Sequence, residues 1–202
     1  VFEAADGAGT AAVDAGGGAA AFVLADVDRV VLSGLACSNG AAAGVSLTRA
    51  NGCILTNLLC AGNAGAAAGT GDGVNAAYSS RIRLSGCRFR NNKGRGANLS
   101  YCAGIDFDRC RFDHNGADGI KIGNSTAVRI AESDLFRNDG RGVYLNGAPA
   151  VPRQSVLDHC VVAGNKSYGA EFGGAHDRWI FRDTIFAGSQ TDAVYKYHRA
   201  PW

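Results

Sequence analysis

Five asparagines stand at a near-fixed interval along this chain: Asn63, Asn92, Asn115, Asn138 and Asn165. The two central steps are 23 residues each. Each asparagine is followed by a glycine that opens a short apolar alternation: Gly73-Val74, Gly96-Ala97, Gly119-Ile120, Gly142-Val143 and Gly169-Ala170. A fixed period in this range marks a chain whose repeats stack on their neighbours to build one continuous core. It constrains the architecture closely and the activity very little.

The repeat has three legs. Aligned on the last apolar residue of each strand, the first leg ends at Leu24, Leu47, Ala76, Leu99, Ile122, Leu145 and Phe172. The second ends at Leu32, Leu55, Leu84, Phe107, Ile130, Leu157 and Phe181, and the asparagine turn follows the third. Within each leg apolar residues alternate: Ile120 and Ile122 flank Lys121, Ile105 and Phe107 flank Asp106, Cys110 and Phe112 flank Arg111. Period-two alternation predicts strands with one buried face, and no sustained 3.6-residue pattern predicts a helix. The expected fold is all-β: a three-legged parallel solenoid of about seven coils, with like residues stacked about 4.8 Å apart. The asparagines are expected to form a side-chain ladder at one turn. The glycine after it is expected to serve a backbone conformation that needs no Cβ.

Residues 1–20 are Ala/Gly-rich and read as a cap or degenerate first coil; residues 21–202 read as the solenoid domain. Continuing the register places Lys196 inward, so the coil is expected to stop over Tyr195–Trp202. The chain contains no methionine, and neither end carries a strong cap pattern, which suggests a mature form, a fragment of a longer protein or an oligomer. The formal charge is +2 with no basic block, arguing against a nucleic-acid partner. No apolar run is long enough to span a membrane. Of seven cysteines, Cys37 and Cys60 share one inward column, and Cys87, Cys110 and Cys160 another. These read as small core residues. Adjacent-rung pairs are near enough to bridge, and no spacing fits zinc, so the redox compartment stays open.

The outward columns carry the functional signal. On the first leg the residue between the two inward positions is Ser46, Asn75, Asn98, Lys121, Tyr144, Glu171 and Tyr195, polar throughout. Just before the glycine runs Asp72, Arg95, Asp118, Arg141, Tyr168 and Asp192, a charge-neutralising ladder beside that face. The second-leg residues Arg83, Asp106 and Arg129 alternate in sign and read as structural pairs. Outward Ile54, Leu59, Ile180 and Ile185 are expected to be covered by a homo-oligomer partner or further domains. Insertions at 64–72, 147–153 and 173–177 lengthen turns, and long loops on one side of a solenoid tend to mark its binding face. On this reading Lys121, Tyr144, Glu171, His176, Asp177 and Arg153 converge.

The motif Cys87-Arg88-Phe89-Arg90-Asn91-Asn92, followed by Gly96-Ala97-Asn98-Leu99, resembles the right-handed parallel β-helix superfamily, the pectate-lyase-like group. The resemblance spans roughly residues 20 to 196 and supplies the right-handedness. It implies a polysaccharide partner, an extracellular or cell-surface location, and lyase or C5-epimerase chemistry on uronates. Such chemistry needs a group to neutralise the carboxylate, a base and an acid. Lys121, Tyr144, His176 and Glu171 are the catalytic candidates; Asn75, Asn98, Asp118, Arg141, Arg153 and Asp177 are the substrate-binding ones. Mannuronan C5-epimerases carry a Tyr-Gly-Phe-Asp-Pro-His signature. Here Tyr168-Gly169 is followed by Ala170-Glu171-Phe172 and only later by His176-Asp177, so the Asp-Pro is missing and the catalytic roles are not carried over. Calcium, the cofactor of pectate-lyase-type sites, is the one cofactor the resemblance leaves open; it needs clustered carboxylates, and none stands out clearly. Hydrolysis needs a carboxylate pair about 5 to 9.5 Å apart, and no tight pair stands out. The alternative is a non-catalytic carbohydrate-binding or structural solenoid, as in tailspikes and adhesins.

Overall fold

The chain winds as a parallel β-helix, seen in a computed structural model that describes residues 1–4, 11–67, 69–147, 153–173 and 179–196, Lys196 by its backbone alone. Among these residues every regular element is a strand. The strands form three sheets of eight, each strand pairing in parallel with its equivalent one coil away. The first-leg sheet runs from Ala20–Ala25 through Asp72–Ala77, Ala97–Ser100, Ile120–Gly123, Val143–Asn146 and Ala170–Gly173 to Val194–Lys196. Seven complete repeats were legible in the spacing. Eight strands per sheet arise because Phe2–Glu3 and Ala11–Asp14 pair with Val31–Ser33 and Leu35–Ser38 at one end, and Val194–Lys196 pairs with Ala170–Gly173 at the other. The register matches the predicted columns: Asn98 pairs with Lys121, Lys121 with Tyr144, and Tyr144 with Glu171.

The inward columns form one core. Phe89 and Phe112 stack at 5.0 Å, and Phe107 meets Phe112 edge-on at 5.5 Å. All seven cysteines are buried free thiols, filling core positions as expected. The asparagine ladder is continuous. Asn63, Asn92, Asn115 and Asn138 each donate from Nδ2 to the Oδ1 of the next asparagine, at 2.8 to 3.0 Å. From Asn92 onward each Nδ2 also reaches a strand carbonyl, at Cys60, Phe89, Phe112 and Leu135.

The glycine column has a different reason from the one expected. Gly73, Gly96, Gly119 and Gly142 have ordinary backbone angles. A Cβ on Gly96 would lie 2.6 Å from the Gly119 carbonyl oxygen and 3.1 Å from the Asn115 amide. Glycine is required because the next rung and the ladder pass too close for a side chain. The bends use left-handed residues instead. At the corner between first and second legs these include Asp26, Arg49, Tyr78, Tyr101 and Asn124, with φ from 49° to 54°.

The outward charges of the second leg pair as read, and arginines of the third leg find a partner that the reading did not include. Asp106 meets Arg83 at 3.7 Å and Arg129 at 2.9 Å. Asp113, fully buried, gathers Arg88 and Arg111 at 3.1 and 3.2 Å. Ile54, Ile180 and Ile185 are exposed, Ile185 by 61%.

Candidate functional site: the first-leg face and its ionic ladder

The four rungs from Asp72 to Tyr144 share one plan. A charged residue at the entering bend comes first, then the central outward residue, then a small one. Along the strands the small positions are Ala77, Ser100, Gly123, Asn146 and Gly173. The central positions Asn75, Asn98, Lys121 and Tyr144 stand half-buried above that low strip. Lys121 and Tyr144 occupy adjoining rungs, so their Cα atoms are about one strand spacing, 4.8 Å, apart.

Behind the face runs an ionic ladder. Asp72, Asp118 and Glu171 are 2%, 4% and 3% exposed, and each is bound by arginine. Arg95 lies 3.8 Å from Asp72 and 3.6 Å from Asp118. Arg141 lies 3.3 Å from Asp118 and makes a short bond from Nε to Glu171. The backbone cooperates: the Arg95 N–H donates to Asp72 at 2.7 Å, and the Arg141 N–H to Asp118 at 3.0 Å. The preceding glycines make this possible. A Cβ on Gly94 would sit 2.3 Å from the Asp72 carboxylate, and one on Gly140 2.6 Å from that of Asp118. The sequence trace of this device is Gly94-Arg95-Gly96 and Gly140-Arg141-Gly142, alternating with Asp72-Gly73 and Asp118-Gly119.

Tyr144 is fixed by the same ladder. The Arg141 guanidinium lies 4.0 Å from its ring centroid, a cation–π contact, and the position of a Cβ on Gly173 is 3.5 Å from its hydroxyl. Glu171 is buried against Arg141, so it orients that arginine and does not present itself on the face. Lys121 sits where burial pushes its ammonium below the ordinary lysine value. Arg95 and Arg141 add to that shift, while Asp118 and Asp72 oppose it. Burial raises the Asp72 carboxyl, against the pull of Arg95, Asn98 and Lys121. The Asn98 Oδ1 is buried with no hydrogen-bond partner among the described residues.

The lengthened turn at 64–72 closes one side. Arg95 donates to the Gly69 carbonyl at 3.0 Å and Lys93 to that of Gly65 at 2.9 Å. The structure therefore brings Asn98, Lys121, Tyr144, Asp118, Arg141 and Glu171 together, with Asn75 next along the face. Arg153 stands apart from the predicted convergence. Its backbone N–H donates to Thr126 Oγ1 at 2.5 Å, on the corner that starts the second leg. His176 and Asp177 lie outside the described residues.

Metal-binding capacity among the described residues concentrates elsewhere, at Asp158, His159 and Asp183. Arg182 already forks onto both Asp158 oxygens at 2.8 and 2.7 Å, and an imidazole is a poor calcium ligand, so this set does not fit calcium. On the first-leg face every buried carboxylate is bound by arginine.

Two residues absent from the sequence reading border the face. Tyr78 and Tyr101 occupy the left-handed bend after the strip of small residues, their rings stacked at 5.1 Å and 3°. They are 62% and 56% exposed. Their 23-residue separation is a usable signal, but a bend position takes no part in the strand alternation.

Among solved structures, the periplasmic alginate epimerase AlgG matches with a TM-score of 0.70 at 14% identity, covering 87% of this chain and 47% of that one. The Azotobacter vinelandii mannuronan C-5 epimerase AlgE4 A-module matches at 0.74 and 17%, covering 90% and 53%. The Streptococcus pneumoniae surface protein and adhesin PfbA matches at 0.56 and 10%, covering 87% and 63%. The chain thus spans about half the length of the two epimerase structures. A search of curated proteins finds no match. No helix among the described residues is long and apolar enough to cross a membrane. The right handed beta helix region family matches residues 13–153 and 43–199. With the parallel three-sheet coil and its asparagine ladder, this places the chain in the right-handed β-helix family.

Proposed function

We propose that the first-leg face binds an acidic, uronate-type polysaccharide and acts on it by proton transfer at the carbon next to the carboxylate, as lyases and C5-epimerases do. The observation that carries this reading is the placement of Lys121 and Tyr144 on adjoining rungs, half-buried, above a ladder that holds every neighbouring carboxylate in an arginine pair. The cation Lys121 meets the sugar carboxylate and stabilises the charge that grows on it when the C5 proton leaves. Tyr144 exchanges a proton with the sugar. Arg141 fixes its ring, and Asp118 and Glu171 fix Arg141. Asn75 and Asn98 bind sugar hydroxyls further along. His176, as a second proton-transfer group, and Asp177, as a substrate contact, enter this proposal from the sequence alone. Elimination releases the O4 leaving group and leaves a double bond, whereas epimerisation returns the proton to the opposite face. The kinship in fold with an alginate epimerase and a mannuronan epimerase supports the substrate class.

A non-catalytic glycan-binding solenoid is the second reading. It is favoured by the burial of Asp72, Asp118 and Glu171, which leaves the described face rich in donors without a free acid–base pair of carboxylates. The fold likeness to a surface adhesin supports it too. Both readings place the protein outside the cell or on its surface, with a second copy or further domain over Ile180 and Ile185.

The test is incubation with alginate, polygalacturonate and glycosaminoglycans, with and without calcium. It is read by ultraviolet absorbance of an unsaturated product and by NMR of the epimer ratio. A new double bond or a changed ratio is expected. Binding with neither would leave the second reading in force, and neither binding nor turnover would overturn both.

A further inference from the structure

The corner between the first and second legs carries features that the face chemistry does not use. Its bend residues form a column, Arg29, Gly52, Arg81, Gly104 and Ala127, all left-handed. Gly52 separates two arginines, and a Cβ there would touch Arg29 Cγ at 3.3 Å. A hollow of about 400 Å³ opens at this corner, lined by Asp28, Arg29, Asn51, Gly52 and Arg81, large enough for a sugar residue. Arg81 is held from behind, its Nε donating to Asn51 Oδ1 at 2.9 Å; Ser80 Oγ donates to the same oxygen. No described carboxylate lies within ion-pair distance of Arg29 or Arg81. Arg49, at the neighbouring bend, is by contrast bound to Asp26 at 2.5 and 2.7 Å.

Tyr78 and Arg81 are the two bends of one rung, three residues apart. The Tyr78–Tyr101 stack therefore stands on the rung of Arg81 and the rung after it, on the first-leg side of the corner. Two tyrosines in left-handed conformations, φ 52° and 53°, are unfavourable: bulky residues avoid this region, and Asn, Asp or Gly accept it. The same column uses Asp26, Arg49, Asn124 and Gly147 elsewhere. Left-handed bends recur along the whole coil, so the signal here is exposure: large rings that are more than half exposed are not explained by core packing.

We propose that this corner is a glycan subsite for a carboxylate-bearing sugar. Arg29 and Arg81 straddle the carboxylate across Gly52. Asp28 and Asn51 accept or donate to hydroxyls, and the tyrosine stack takes the apolar flank of the pyranose next along the chain. The proposal rests on the reading of the protein as a binder of acidic polysaccharide and extends the contact surface from the first-leg face around its edge.

The experiment measures binding of alginate and polygalacturonate oligosaccharides by calorimetry, with dextran and dextran sulfate as neutral and sulfated controls. Two pairs are tested: Tyr78→Asn with Tyr101→Asn, and Arg29→Gln with Arg81→Gln. Asparagine suits the left-handed bend, so the first pair removes the rings without disturbing the backbone. Each pair is expected to weaken polyuronate binding about tenfold, with the thermal midpoint of the tyrosine pair unchanged or raised. Tyr78→Phe with Tyr101→Phe is expected to bind like the parent. Unchanged affinity in both pairs would overturn the subsite, as would a lowered midpoint with unchanged affinity, which assigns the rings to structure. Binding to dextran sulfate alone would overturn the carboxylate assignment. Lys121→Met separates this proposal from the function proposed for the face. If that variant loses turnover while the corner pairs bind normally, the corner falls and the face stands. Failure of the unsubstituted protein to bind any polyuronate overturns both.

Discussion

Two ladders run side by side along the turn that enters the first leg, and they differ in what they leave over. The asparagine ladder is neutral and self-contained: each inner amide donates to the next asparagine and to a strand carbonyl, and its members are at most 1% exposed. The ionic ladder, three positions further on at Arg95, Asp118 and Arg141, is charged and uneven. Asp72, Asp118 and Glu171 are buried as deeply, but Arg95 and Arg141 are 19% and 29% exposed in their side chains, and Arg141 lends its face to Tyr144. Neutral amides satisfy backbone groups at low desolvation cost and serve as structure. Buried charges are weak stabilisers that fix geometry. Here the geometry they fix is that of Tyr144, and their field acts on Lys121.

The sharpest break between the ladders should come from Asn115→Ala. It orphans the Phe89 carbonyl and the Asn92 amide groups in the core, and should cost about 3 to 5 kcal/mol in chemical denaturation at about one kcal/mol or more per stranded group. Arg141→Ala should cost less, about 2 to 3 kcal/mol, because water reaches the guanidinium site and softens the stranding of Glu171 and Asp118. It should also remove activity by freeing the Tyr144 ring, which Arg141→Lys should restore only in part.

Acid titration separates two buried carboxylates whose shifts run in opposite directions. Burial alone would raise the Asp113 carboxyl, but bonds from Arg88 and His114 and the charge of Arg111 outweigh it and hold it below the ordinary value. Its contribution is present above the unfolded-state value near 3.9 and is lost as pH falls through the lower folded value. Asp72 is raised, chiefly by burial, so its contribution is present below the unfolded-state value and is lost as pH rises through the higher folded one. Midpoints measured against pH should therefore lose their acid-side fall in Asp113→Asn. In Asp72→Asn they should lose the decline on the neutral side and end higher near neutrality. Identical profiles in the two variants would contradict the contrast.

The smallest stability effects belong to the face itself. Lys121→Met and Tyr144→Phe should leave folding unchanged within about 0.5 kcal/mol, and Lys121→Met should be neutral or stabilising, because burial disfavours its charge. Both should abolish turnover or glycan binding in the polysaccharide assays. A stability loss comparable to that of Arg141→Ala would make them part of the frame.

Much of this was legible in the residues. Alternation around Lys121, Asp106 and Arg111 gave the strands, and the 23-residue steps gave the register that pairs Lys121 with Tyr144. The Asp–Arg–Asp–Arg column was visible as a neutralising ladder. Glu171 was misleading, because its central outward position read as a face residue whereas the partner that buries it, Arg141, sits in another column. Arg153 was drawn into the site by loop proximity in sequence, although its rung places it beyond the corner with Thr126. Tyr78 and Tyr101 went unread because bends obey no alternation.

The sequence by itself determined the coil, because a repeat that cannot bury its apolar face alone must stack, and stacking turns equal spacing into shared columns. Only the tertiary structure decided what happens between columns. It set which carboxylates are buried, which arginine lies under Tyr144, and where a hollow lies between two cations. Those outcomes depend on lateral distances across the rungs, which a one-dimensional period does not carry.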